Sequence, residues 1–295
     1  MRIVISGANG FVGNRLKEAF ARQGWWVVAL ERKDYQDLPL LTGKLEGADA
    51  VINLAGASIA GRWDEAYKKL LIDSRIETTR ALVAAAKGCK TPPERFFSTS
   101  AVGRFGAQGI HTEASEAVGE DFLSRLTQQW EAEALKAAEA GIAVSICRFG
   151  VVLGENGGML QKLLPIFKLG LGGKIGSGKQ GFSWIHIDDL ARAYVHLLSR
   201  PAEKGVYHFC APGYTDNAGF TKALAKALNR PAFFTVPGFV LKLALLEGAS
   251  VALNGQFVYS TKLPETGFEF CHPDLDSALK QIIQTKGENR ENPNR

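Results

Sequence analysis

The chain has 295 residues, of which 46% are apolar and 22% charged, with a formal charge of +5. That length and balance exclude a disordered chain and allow a sizeable core in one large domain or two joined ones. No apolar run is long enough to span a bilayer, and the cations are spread without an aromatic-interleaved stripe, so neither a membrane nor a nucleic-acid partner is expected.

Arg2 to Ser6 reads as a short apolar strand that ends in a glycine-rich turn. Gly13 to Gln23 follows with Leu16 and Phe20 at helical spacing, and Gly24 is its natural stop. Trp26 to Leu30 and Ala50 to Leu54 read as the second and third strands, both buried. Asp64 to Lys87 reads as a long helix with Leu70, Leu71, Ile76, Leu82 and Val83 on its apolar side. Arg95 to Ser100 is a fourth strand, Gly119 to Ala140 a helix, and Ala143 to Phe149 a fifth strand. Strict alternation of strand and helix predicts an α/β Rossmann fold, a doubly wound parallel sheet.

After Gly150 the texture changes, with nine glycines between positions 154 and 181. Met159 to Leu169, Asp188 to Ser199 and Asp216 to Asn229 read as helices, and Val206 to Cys210 as a strand. Residues 1–150 are therefore expected to form the dinucleotide-binding domain, completed by elements from about 184–212. Residues 151–285 should form mostly a smaller C-terminal substrate lobe, and residues 286–295, which lack apolar side chains, a disordered tail. Cys89, Cys147, Cys210 and Cys271 form no CxxC pair, which points to free thiols and to no metal site. Met1 to Val4 starts a strand at once, with no room for a signal peptide, which suits a cytoplasmic protein.

The turn Ser6-Gly7-Ala8-Asn9-Gly10-Phe11-Val12-Gly13 carries the clearest chemistry. Gly7 permits a tight turn, Gly10 lets backbone approach a pyrophosphate, and Gly13 lets helix pack against strand. The helix start offers free N–H groups and a positive dipole end to the phosphates, so Gly7, Asn9, Gly10, Phe11, Val12 and Gly13 are candidate cofactor contacts. At the end of the second strand, Glu31 would chelate the ribose hydroxyls of NAD, whereas Arg32 and Lys33 would pair with the 2′-phosphate of NADP. Two cations against one carboxylate favour NADP(H), although all three could be solvated loop charges. Leu54, Ala55 and Gly56, after Asn53, are small enough at the third strand's end to let the cofactor lie against backbone.

These motifs, with Gly61-Arg62-Trp63, Ser74-Arg75-Ile76, Ser100-Ala101-Val102-Gly103, Trp130-Glu131, Gly170-Leu171-Gly172-Gly173 and Trp184-Ile185-His186-Ile187-Asp188-Asp189, resemble epimerase-family proteins of the YfcH type. That group is a set of atypical extended short-chain dehydrogenases/reductases, and the resemblance runs from Met1 to about Ile283. It implies a Rossmann fold, NADP(H) and a C-terminal lobe that takes a small substrate. It also implies a catalytic serine, at Ser100, beside a Tyr and a Lys four residues later.

The Tyr and Lys are missing: no Tyr lies between Tyr67 and Tyr194, and the helix in question reads Phe122-Leu123-Ser124-Arg125-Leu126-Thr127. Asp121 and Glu131 flank the expected place and are read as surface carboxylates. Arg148, Lys179 and Arg230 are candidate anion contacts, His111 a loop residue, and Asp188 or Asp189 a cap of the following helix. Two functions fit this pattern. One is an NADP(H)-dependent oxidoreductase or epimerase acting on a small carbonyl, polyol or sugar-like substrate. The other is a non-catalytic NADP(H) sensor. A homodimer is a plausible assembly for either.

Overall fold

A computed structural model describes residues 1–201 and 204–291. Its centre is a six-stranded sheet of β1 (Arg2–Ser6), β2 (Trp26–Leu30), β3 (Ala50–Asn53), β4 (Arg95–Ala101), β5 (Ala143–Phe149) and β6 (Gly205–Phe209). The spatial order is β2-β1-β3-β4-β5-β6, and every neighbouring pair is parallel. Between β1 and β3 the winding reverses direction, which opens a crevice at the carboxyl ends of those strands.

Helices cover both faces. On one, α1 (Phe11–Arg22) and α6 (Ile187–Leu198) bury Leu16, Phe20, Leu190 and Tyr194 against Ile3, Ile5 and Ile52. On the other, α2 (Leu38–Leu45), α3 (Glu65–Gly88) and α4 (Phe122–Leu135) bury Leu41, Leu82 and Ala134 against Val4, Val51 and Phe96. The C-terminal lobe has its own core, in which Leu160 and Leu164 of α5 (Gly158–Lys168) meet Trp184 and also Phe220 and Leu224 of α7 (Asn217–Ala227). Two short parallel pairs stiffen it, Val151–Leu153 with Trp184–His186 and Gly173–Ile175 with Phe234–Val236.

Several local expectations are corrected. α2 has eight residues with Pro39 in its first turn and Gly43 inside, a length and composition without a readable apolar period. β2 lies at the sheet edge and leaves Trp26 exposed, so it is not a buried strand. Leu70 points to solvent. The helix expected to start at Gly119 starts at Phe122, because Asp121 caps it by accepting from the Ser124 N–H at 2.8 Å. A helix also runs over Leu275–Glu291, through much of the expected disordered tail, and residues 292–295 lie outside the described residues. Cys89, Cys147 and Cys210 are buried thiols and Cys271 is an exposed one.

One buried polar bridge ties the third strand to both neighbouring helices. Thr79 Oγ1 in α3 accepts from Asn53 Nδ2 at 2.8 Å and from Trp130 Nε1 of α4 at 2.9 Å. A Thr79→Val substitution keeps the shape and leaves two buried donors without an acceptor. We expect a loss of about 2–4 kcal/mol. Urea unfolding should show a lower midpoint at an unchanged slope. A midpoint equal to wild type would show that the bridge does not hold β3.

Candidate functional site

The glycine turn at the end of β1 is built for close approach. Gly7 has φ +75°, and a Cβ there would sit 3.0 Å from the Leu54 carbonyl carbon. A Cβ at Gly13 would lie 2.4 Å from the Gly7 oxygen, so α1 can approach the turn only without one. The α1 N-terminus has no side-chain cap and no acidic residue in its first turn, which leaves its N–H groups available to an anion. Phe11 opens the helix, and its ring packs where Gly154, Gly157 and Gly158 cannot carry side chains: a Cβ at Gly157 would lie 2.4 Å from it. Val12 packs on the sheet core, and the Asn9 carboxamide accepts from Lys17 Nζ at 3.0 Å.

The third strand meets this turn directly. The Leu54 N–H donates to the Ser6 carbonyl at 3.0 Å, and the Ala55 N–H to Asn53 Oδ1 at 3.3 Å. Beyond them, Arg75 of α3 is buried and has no carboxylate partner. Its Nη2 donates to the Ala57 carbonyl at 2.9 Å, its plane lies over Trp130, and its Cζ would be 3.1 Å from a Cβ at Gly56. Burial lowers its pKa to about 10.

At the end of β2 the charges sort themselves. The Glu31 carboxylate pairs with Lys33 Nζ at 2.8 Å and caps the 3₁₀ turn Arg32–Gln36 together with Asp34. Asp34 is fully buried, and its carboxyl is held below its usual range: burial opposes this, but Lys44 at 2.7 Å and the Glu31 N–H outweigh it. Tyr35 donates to Ser6 Oγ at 2.7 Å and so fastens the turn to β1. Arg32 is exposed and has no ion pair or hydrogen bond among the described residues. Of the two cations, Arg32 is the one left free for a phosphate.

Ser100 lies one residue before the end of β4, beside Arg148 of β5 in direct register. Its hydroxyl donates to Glu131 Oε1 at 2.6 Å. Arg148 grips the same carboxylate in two places, Nε to Oε1 at 2.8 Å and Nη2 to Oε2 at 2.8 Å. Arg104 adds a contact to Oε2 at 3.2 Å. Burial pulls the Arg104 pKa down and Glu131 partly restores it. Ser100 is only 1% exposed. The network continues through β6, where Arg148 pairs in register with His208. Burial lowers the His208 pKa, and Glu113 opposes it. The ring donates from Nδ1 to the Tyr259 carbonyl at 2.8 Å, and its Nε2 stands 3.5 Å from Arg148 Nη1. Burial works against ionisation of Glu113, yet His208 and the Thr261 N–H hold its carboxyl below the usual range.

These contacts correct three expectations. Glu131 is buried, not a surface carboxylate, because Arg148 and Arg104 compensate its charge. Arg148 is committed to Glu131 rather than free for an anion. His111 is not a loop residue: it is buried in a short strand and stacks on Phe105 at 4.5 Å, while Arg148 sits 5.3 Å over the same ring. A visible hint is present, since Arg148 and His208 are the charged or titratable polar residues in strands that are mostly apolar.

The joint around His186 is structural. His186, not either aspartate, caps α6, its Nδ1 accepting from the Asp188 N–H at 3.1 Å. Asp188 pairs with Arg15 at 2.7 Å, and Asp189 receives the N–H groups of Cys271 and His272. His186, Asp188 and His272 place donor atoms within 4.8 Å of one another, but the first two already have these partners. Lys179 is exposed, and Arg230 donates to the Lys168 carbonyl at 3.0 Å.

Relatives share this architecture along nearly the whole chain. Epimerase family protein SSP1921 from Staphylococcus saprophyticus is 36% identical over 293 residues, covering 95% of this chain and 98% of the relative. Epimerase family protein SDR39U1 from Homo sapiens is 36% identical and covers 96% of this chain and 100% of itself. A crystal structure of the human protein with NADPH superposes with a TM-score of 0.91 at 34% identity, covering 96% of this chain and 99% of that one. That protein is bound to NADPH, and in this chain the turn at β1, with its bare glycines and uncapped helix start, fits a dinucleotide pyrophosphate.

The free guanidinium of Arg32 gives a measurable consequence. Arg32→Ala should weaken NADPH binding by about tenfold or more, the value of one charge-assisted pair, and leave NADH binding unchanged. Glu31→Gln, by releasing Lys33, should tighten NADPH. Calorimetric titration reads both, and equal NADPH affinity in wild type and Arg32→Ala would rule out this turn as the 2′-phosphate contact.

Residues 3–210 match the family described as the NAD dependent epimerase/dehydratase family, and residues 236–282 match a domain of unknown function, DUF1731. With two-thirds of its length inside that match and relatives above 30% identity along the rest, the chain belongs to the NAD dependent epimerase/dehydratase family.

Proposed function

We propose that this chain is an atypical extended short-chain reductase of the YfcH type. In this reading it is cytoplasmic and uses NADP(H) to act on a small carbonyl, polyol or sugar-like substrate. When bound, the nicotinamide ring supplies hydride exchange. The usual Tyr and Lys are absent, and loss of a positioned acid/base normally costs about 10²–10⁴ in rate. Ser100 cannot replace them while its proton points at Glu131.

The observation that carries the reading is Arg104. It follows β4 in the turn Val102–Arg104 and, alone of the three groups gathered on Glu131, is partly open, its side chain 21% exposed. One edge of its guanidinium holds Glu131, and the other is left to face a developing oxyanion. A fixed cation of this kind stabilises charge as it forms and needs no reorganisation, and one such donor is worth about 10²–10³ in kcat.

A second reading has its own support. Ser100, which would align a substrate hydroxyl, is turned into the core. A protein so built could bind NADP(H) and signal its presence without turnover. NADPH consumption against a panel of aldehydes, ketones and sugar-like carbonyls separates the two. The enzyme reading expects turnover with at least one compound, and Arg104→Gln should cut its kcat by about 10²-fold at unchanged NADPH affinity. Tight NADPH binding with no turnover across the panel would reject it in favour of the sensor.

A further inference from the structure

The C-terminal lobe carries a surface that the cofactor site does not use. Segments 158–187 and 217–246 together hold eight Lys and Arg residues and no Asp or Glu. The strand pair Gly173–Ile175 with Phe234–Val236 brings the two segments side by side, and Arg230 donates to the Lys168 carbonyl at 3.0 Å across the same seam. The helix α8 (Gly238–Leu245) that follows buries none of its residues. On this face Phe233 is 90% exposed, Leu169 75%, Leu243 74% and Phe239 66%, with Leu171 and Phe234 also open. Lys168, Lys174, Lys222 and Lys242 stand among them and make no ion pair among the described residues. Isolated exposed apolar residues are ordinary, but a concentration of aromatic and leucine side chains edged by one sign of charge marks a binding face.

Charge and shape select the partner. A second copy of this chain docking through the same patch would set lysines against lysines, and Asp276, the carboxylate at its edge, is already paired with Lys226, which disfavours a two-fold contact. Phe233 and Phe234 rim a shallow open cavity with Lys174 and Lys222, and Leu169, Phe239 and Leu243 are open as well, so the face offers apolar tips and cations rather than one enclosed pocket. Phe and Leu tips with a surround of lysines suit the boundary of a lipid bilayer, where rings enter the headgroup layer and cations meet lipid phosphates. We propose that this face of the lobe is a peripheral docking surface for an anionic phospholipid membrane. It spans nothing, as no helix among the described residues is long and apolar enough to cross a membrane. The expectation of no membrane partner rested on that same lack of a spanning segment, which does not bear on a surface contact.

Flotation of the full-length, NADPH-loaded protein with vesicles tests this. The probes are vesicles of phosphatidylcholine alone and of phosphatidylcholine mixed with phosphatidylglycerol. The protein should float with the mixed vesicles, remain behind with the neutral ones, and be released by salt. Lys222→Gln and Lys242→Gln should each weaken the association about fivefold. The double variant Phe233→Ser with Leu243→Ser should abolish it. All four positions are exposed, so the variants should keep wild-type NADPH affinity and thermal stability, which checks the fold separately. Equal flotation with both vesicle types, or none with either, overturns the proposal. So does full binding by the double variant, or capture by poly-glutamate in place of vesicles, which would assign the face to an acidic polypeptide.

Discussion

A single buried carboxylate organises the functional end of this sheet. Glu131 comes from α4, and every partner that neutralises it comes from elsewhere: Ser100 and Arg104 from β4 and its following turn, Arg148 from β5. An isolated buried carboxylate would be prohibitively costly, so these partners have to be present together or not at all. Their geometry is what makes the pair tolerable, since the Arg148 fork meets both oxygens. One consequence follows directly for chemistry. The hydroxyl that related enzymes direct at substrate is here directed at Glu131, and the helix that would carry Tyr and Lys carries Glu131 as its charged inward group.

The same dependence explains what could be read from the sequence. The cradle at Gly7, Gly10 and Gly13 is a local pattern, seven residues running from the strand's end into the helix, and its steric logic is visible in the spacing alone. The alternation of the first five strands is equally local. The Glu131 network is not. Its members lie 17 and 31 residues apart along the chain, and they meet only because β4 and β5 pair in the register that sets Ser100 against Arg148. A carboxylate in the middle of a helix looks like a surface group until that register is known. Arg148 and His208 are the available signal, each a large polar side chain in a mostly apolar strand.

The lobe shows the opposite failure of legibility. Its charge segregation is plain in the sequence, since two thirty-residue stretches lack any acidic residue. What the sequence conceals is exposure. A run such as Phe239-Val240-Leu241-Lys242-Leu243-Ala244-Leu245 has the composition of a buried helix, yet α8 packs none of it away. Periodicity identifies which residues share a face but not whether anything lies opposite that face.

Cradle and lobe are nevertheless one mechanical unit, and Phe11 is the joint. It is the first residue of α1, at the end of the helix that faces the cofactor phosphates, and the Gly154-to-Gly158 loop folds so closely on its ring that side chains are excluded. Gly158 holds φ +61°, so the loop reaches the ring through a conformation other residues rarely adopt. A pyrophosphate at the α1 N-terminus would therefore lie one side chain away from the loop that opens α5 and starts the lobe core. An enzyme needs that connection to order its substrate pocket only when cofactor is present, and a sensor needs it to report the cofactor at all. The joint accordingly does not choose between the two readings. It explains why the glycine-rich stretch accompanies the cradle in either one, and it leaves the choice to the chemistry around Arg104, the partly open cation on Glu131.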